Sequence, residues 1–230
     1  MKFKLLLSGT ILLSVLLASA YKHRSDNQAY KELYKFQFES FSKALNEFYS
    51  SLENQNPSPV QIKQGIKDLR MKMKSLDFWW RYANPLTYKS INGPLPVEWE
   101  TEVFEKFEPP YRRVGAGLTL AEQQLEEDSS DLNALMGLIQ PMKIAIRHFE
   151  PDSMNELFNK PEHFYFCNRL FLLNAASIYT TGFECPDTAS VLPELNAMVK
   201  SIRDITLAYN VSFPEYACDH EYVSALDALI

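Results

Sequence analysis

The chain has 230 residues, 46% hydrophobic and 23% charged, a globular balance that excludes an intrinsically disordered chain. Its formal net charge of −6 repels phosphate backbones, so nucleic acid is not an expected partner. The length suits one good-sized domain.

The first residues, MKFKLLLSGTILLSVLLASA, have the layout of a secretory signal. Lys2 and Lys4 make a positive start, Leu5 to Leu17 an apolar run, and Ala18-Ser19-Ala20 a small-residue cleavage site. The run falls short of the ~20 residues that a membrane span needs, and nothing later is apolar for long enough. The expectation is a periplasmic or otherwise exported protein, with 1–20 a signal peptide and 21–230 a single helical-bundle domain. An uncleaved anchor is the alternative. Losing the segment removes two positive charges and leaves −8.

Export permits disulfides. With three cysteines, at least one stays unpaired within a monomer. Cys167 reads as a buried thiol in an apolar stretch; a bridge between Cys185 and Cys218 is left open.

Tyr30, Leu33, Tyr34, Phe38, Phe41, Leu45, Phe48 and Leu52 recur at steps of three and four, predicting a long amphipathic helix with Ser25 or Asp26 as its cap. The stretch Asn-Pro-Ser-Pro then breaks the chain. Ser58 suits a cap and Pro59 the first turn of the next helix. Ile62, Ile66, Leu69, Met73, Leu76 and Trp80 continue it up to Asn84-Pro85. Two such helices argue for an antiparallel hairpin within a bundle.

The stretch NGPLPVEWETEVFEKFEPPYRRVGAGLT, from Asn92 to Thr119, is too rich in proline and glycine for one helix. After it, Thr119 and Glu122 have the spacing of a capping box. A helix through Pro141 follows, kinked there, and then a short piece near Met154. Pro161 to Gly182 is apolar nearly all round, with Arg169 its only strong charge after His163, which predicts a central, surrounded helix stopped by Gly182. Leu195, Met198, Val199, Ile202 and Ile205 share a face of the next helix, and Asp219 caps a last short one. No period-two run and no repeat stands out. The predicted fold is all-α: about six amphipathic helices around a hydrophobic central helix, with one irregular segment.

Chemistry-bearing motifs are sparse. Cys-x-x-Cys-His, which would fix a haem, is missing, as are His-Glu-x-x-His, paired Glu-x-x-His, Gly-x-Ser-x-Gly and a phosphate loop. His163 and Cys167, four apart, could face one metal ion; the plainer reading is a satisfied histidine beside a buried thiol. Arg112 and Arg113, ahead of Gly115 and Gly117 and a helix start, could hold an anion. A turn whose glycines need positive φ is the plainer reading there. Glu98, Glu100, Glu102, Glu105 and Glu108 read as the solvated face of an amphipathic helix. Trp79, Trp80, Trp99 and Tyr111 sit in an aromatic-rich region that could line a pocket or meet another domain, or simply pack the irregular segment onto the helices.

The phrases LDFWWRYANPLTYKSINGPLPVEWETEVFEKFEPPYRRVGAGLTLAE and FCNRLFLLNAASIYTTGFECPD resemble the all-helical N-terminal region of exported bacterial di-haem cytochrome c peroxidases. The likeness covers most of the chain after about Leu76. It implies an accessory helical part ahead of a haem-bearing part. The family's peroxide chemistry needs Cys-x-x-Cys-His, so no catalytic or haem-ligating residue carries over, and haem is expected only in a partner or in a missing C-terminal part. The helical pattern still running at Leu229-Ile230 fits a fragment or a split gene product. Imelysin-like exported bundles are a remoter comparison, but their Gly-x-His-x-x-Glu motif is missing.

The expected function is therefore an exported, non-catalytic docking module in a haem-peroxidase or electron-transfer system. Its partner is a haem-peroxidase domain or another envelope protein, contacted through Trp79, Trp80, Trp99, Tyr111, Arg112, Arg113, Gly115 and Gly117. The alternative is a periplasmic bundle binding a small ligand or anion between Trp79, Trp80, Trp99 and the Arg112–Thr119 loop. A metal enzyme using His163 and Cys167 is the third reading.

Overall fold

The computed structural model describes residues 28–93, 97–99, 111–113, 116–127 and 131–230. The proposed signal segment, the Ser25/Asp26 cap, Gly115 and the acidic run from Glu100 to Glu108 lie outside them. Among the described residues no helix is long and apolar enough to cross a membrane.

Helix α1, Gln28–Asn54, buries its predicted stripe from Tyr30 to Leu52, with Leu33 partly covered. It packs against three other helices: α2, Pro59–Lys74; α6, Leu132–Ala145; and α9, Val191–Ser212. The start of α2 follows the sequence closely. Ser58 Oγ accepts from the Gln61 backbone N–H and Gln61 Oε1 accepts from the Ser58 N–H, a capping box with Pro59 inside the first turn.

The expected continuous helix to Asn84 is broken at Ser75-Leu76, and a separate short helix, α3, runs Asp77–Ala83. The break turns three consecutive aromatics into the core on different sides. Phe78 meets Phe164, Trp79 lies edge-on to Tyr34, and Trp80 stacks on Phe149 at 4.9 Å. Helix α3 is thus the central apolar helix. Asn84 then caps α4, Pro85–Asn92, by accepting from the Thr87 N–H.

Between α4 and the next helix, strands β1, Val97–Trp99, and β2, Tyr111–Arg113, pair antiparallel, with Glu98 opposite Arg112. Glu98 therefore stands on a strand and not on the expected helix face; three residues are too few for alternation to register in the sequence. Helix α5, Gly117–Glu127, starts two residues ahead of the predicted capping box. Thr119 lies inside it and donates its hydroxyl to Asn92 Oδ1 at 2.6 Å.

Pro141 lies inside α6, which Asp131 caps. Helix α7, Asn155–Asn159, is short. Helix α8, Glu162–Ser177, overturns its predicted central position. Phe164, Cys167 and Phe171 face inward, chiefly towards α3, while the opposite side lies open. Its apolar character continues onto a face that is covered only in part, where Tyr165 donates to the Tyr216 carbonyl and Phe166 stacks on Tyr82. The helix stops at Ser177, ahead of the expected Gly182, which instead ends a short 3-10 turn, Tyr179–Thr181, at φ 71° in the left-handed region. Helix α10, His220–Leu229, is capped by Asp219 and packs on α9.

Candidate functional site

Trp79 and Trp80 have no solvent-exposed surface. Trp79 Nε1 donates to Tyr30 Oη at 2.7 Å and Trp80 Nε1 to Tyr34 Oη at 3.0 Å. The Tyr34 hydroxyl in turn donates to the Phe149 carbonyl. Every polar atom of the two indoles is used internally, so neither lines a pocket or contact surface. Trp99, Tyr111, Arg112 and Arg113 occupy hairpin positions, with Trp99 opposite Tyr111 and Val97 opposite Arg113. Gly117 is buried at φ 70°, and a Cβ there would stand 1.9 Å from the Ile91 carbonyl oxygen. This is the plainer reading of that glycine: it permits a close backbone approach.

His163 Nδ1 shares a hydrogen bond with Tyr82 Oη at 2.7 Å. Cys167 is buried, and burial pushes its thiol well above its ordinary pKa. A thiol held protonated in this way is a poor nucleophile. All three cysteines are free, so the bridge left open between Cys185 and Cys218 is not formed.

Sequence reasoning missed a buried cluster of ions. Arg70 on α2 makes a two-pronged contact with Glu194 of α9: Nε to Oε1 at 2.6 Å and Nη2 to Oε2 at 3.0 Å. Its Nη2 also reaches the Glu184 carbonyl at 2.6 Å, and Glu122 Oε2 of α5 lies 3.4 Å from its Nε. Lys74, one turn on, stands 3.5 Å from Asp77 and 3.7 Å from Glu194. Arg81 on α3 pairs with Glu184, and its guanidinium carbon lies 4.6 Å from the centre of the Tyr88 ring. The Tyr88 hydroxyl donates to Asp77.

Burial opposes the charge on Arg70, but Glu194 and Glu122 outweigh it and hold the guanidinium above its ordinary pKa. Glu122 goes the other way. Burial raises its carboxyl pKa despite Arg70, and within the described residues neither oxygen receives a hydrogen bond. The one sequence hint was Arg70, Lys74 and Asp77 recurring on the flank of an apolar stripe. Such a cluster clamps α2, α3, α5, α9 and the turn at Glu184 together. Acid–base work would need a carboxyl that substrate can reach, and Glu122 is only 2% exposed.

The edge of this cluster forms the floor of an open groove of about 510 Å³. Arg81, Tyr88 and Glu184 line it together with Tyr82, Lys89 and Leu170 of α8. On the outer face of the same helix Tyr165, Phe166, Leu172 and Leu173 are 44%, 49%, 48% and 58% exposed. Phe183, 50% exposed, sits at the end of the groove. Exposed apolar side chains gathered this way mark contact surfaces. Compared with known proteins, the chain matches no family, no curated protein and no solved structure.

Proposed function

We propose that this chain is an exported helical module without catalysis of its own, which docks on a haem-peroxidase part or another envelope protein through the outer face of α8. The observation that carries the reading is the exposure of Tyr165, Phe166, Leu172 and Leu173 along one side of a helix whose other side is built into the core. A bundle gains nothing from leaving four large side chains about half in water, two of them leucines with no covering ring among the described residues, whereas a partner's surface would remove them from it. The ion cluster supports the same reading from beneath: it fixes α3, against which α8 rests, so the face is presented on a rigid base. The Trp79 and Trp80 part of the expected contact surface is replaced by this face.

The test is affinity capture from the envelope fraction, read by the Soret band of the retained material. Wild-type protein is expected to retain a c-type haem protein. Leu173→Asp, at an exposed position, should keep the helical spectrum and lose the haem protein. Equal capture by both would show that α8 is not the docking face.

A second reading, a small-ligand bundle, is favoured by the groove, whose volume of about 510 Å³ suits a metabolite. It predicts a saturable rise in melting temperature with a small molecule and no protein partner present.

A further inference from the structure

Between Tyr165 and Leu173 the outer face of α8 is apolar except at its middle. Arg169 lies one turn from Tyr165 and Phe166 on one side and from Leu172 and Leu173 on the other, and it is exposed. Lys89, which lines the same groove as Leu170, is exposed as well. Among the described residues neither cation has an ion-pair partner; the exposed Lys35, Arg147 and Lys200 share that state, and Arg169 differs from them in standing within an apolar stripe. The one carboxylate in α8, Glu162, stands at its first turn, away from Arg169. Two unanswered positive charges thus flank an apolar surface on a protein whose net charge is −6.

The charges discriminate among occupants. In a two-fold antiparallel pairing of α8 with a second copy that is centred on the exposed stripe, Tyr165 to Leu173, the two Arg169 guanidinium groups would meet. Like charges set opposite each other in an apolar contact oppose association. A bilayer is disfavoured too, because lipid-surface helices carry many Lys and Arg on their polar face and the whole protein here is acidic. An apolar stripe with an acidic residue halfway along answers both features at once.

We infer that the surface takes an amphipathic helix of a partner protein whose apolar stripe covers Phe166, Leu172 and Leu173 and whose carboxylates pair with Arg169 and Lys89. This rests on the docking reading above and adds the chemistry of the partner. The apolar contacts supply affinity, and the two cations set the register and reject basic helices.

The probes are two synthetic helical peptides with the same leucine stripe, one carrying Glu and the other Lys beside the stripe at mid-length, followed by fluorescence anisotropy. Wild-type protein is expected to bind the Glu peptide about tenfold or more tightly than the Lys peptide. The double variant Arg169→Glu, Lys89→Glu should reverse that order while keeping its helical spectrum and melting temperature. Equal binding of both peptides, abolished by Leu173→Asp, would leave the docking face standing and overturn its acidic preference. Failure to bind either peptide overturns the inference. So does a homodimer in sedimentation that Leu173→Asp dissolves, or binding to phosphatidylglycerol vesicles that Arg169→Glu prevents.

Discussion

Arg70 is almost wholly enclosed, and its contacts reach residues 124 and 114 positions away in sequence. Removing one partner of such a pair strands the other as an uncompensated buried charge, whereas replacing both can be nearly neutral. Arg70→Met is therefore expected to lower unfolding stability by roughly 3–5 kcal/mol in urea titrations. Adding Glu194→Leu should recover a substantial part of that loss. Full additivity of the two substitutions would mean that the pair is not coupled in the folded protein. Glu122 gives a prediction of opposite sense. Its folded pKa is raised by burial, so the stability tied to its neutral form is complete below the unfolded pKa and is lost as pH rises through the folded one. Glu122→Gln keeps the neutral form at every pH. Its melting temperature should exceed that of wild type at pH 7, and the difference should vanish below about pH 4, where the wild-type carboxyl is protonated in both states. A destabilised variant at pH 7 would show that the Arg70 attraction outweighs burial.

Elements with long one-sided stripes were legible in the sequence. Helices α1, α2 and α9 declared themselves through apolar residues at steps of three and four, and Ser58 and Asp219 marked starts where the structure has them, whereas the helix expected to run to Gly182 stops at Ser177. Helix α3 was not legible as a separate element. Seven residues show no period, and Asp77, Phe78, Trp79 and Trp80 are all buried, so no face contrasts with another. Thr119 and Glu122 fitted a capping box by spacing, yet tertiary partners claim both side chains: Asn92 takes the hydroxyl and the carboxylate faces Arg70. The ion cluster stayed hidden because local periodicity cannot report partners more than a hundred residues away. Helix α8 was over-read, since a helix apolar all round can be surrounded by its own chain or left for another. At the α4–α5 junction, Gly117 combines positive φ with a backbone approach that admits no Cβ, and the Gly93 N–H donates to the Ala116 carbonyl beside it at 3.0 Å. Gly117→Ala should cost more than about 1 kcal/mol. An unchanged denaturation midpoint would mean that the junction relaxes without strain.

At the scale of the molecule, the ten helices form one packed aromatic core around α3 among the described residues, and the cluster of buried ions locks the side of that core next to the groove. The consequence is a platform on an acidic chain on which, among the described residues, α8 displays four large exposed side chains interrupted by a cation. Docking through that run makes a positional prediction that stability measurements do not touch. A photoreactive phenylalanine analogue placed at Leu173 reads it in the intact envelope, with the same analogue at Lys43, an exposed site on α1, as the control. The account predicts a cross-link to a haem-bearing protein from position 173 and none from position 43. Equal cross-linking from the two positions, or none from 173, would contradict it.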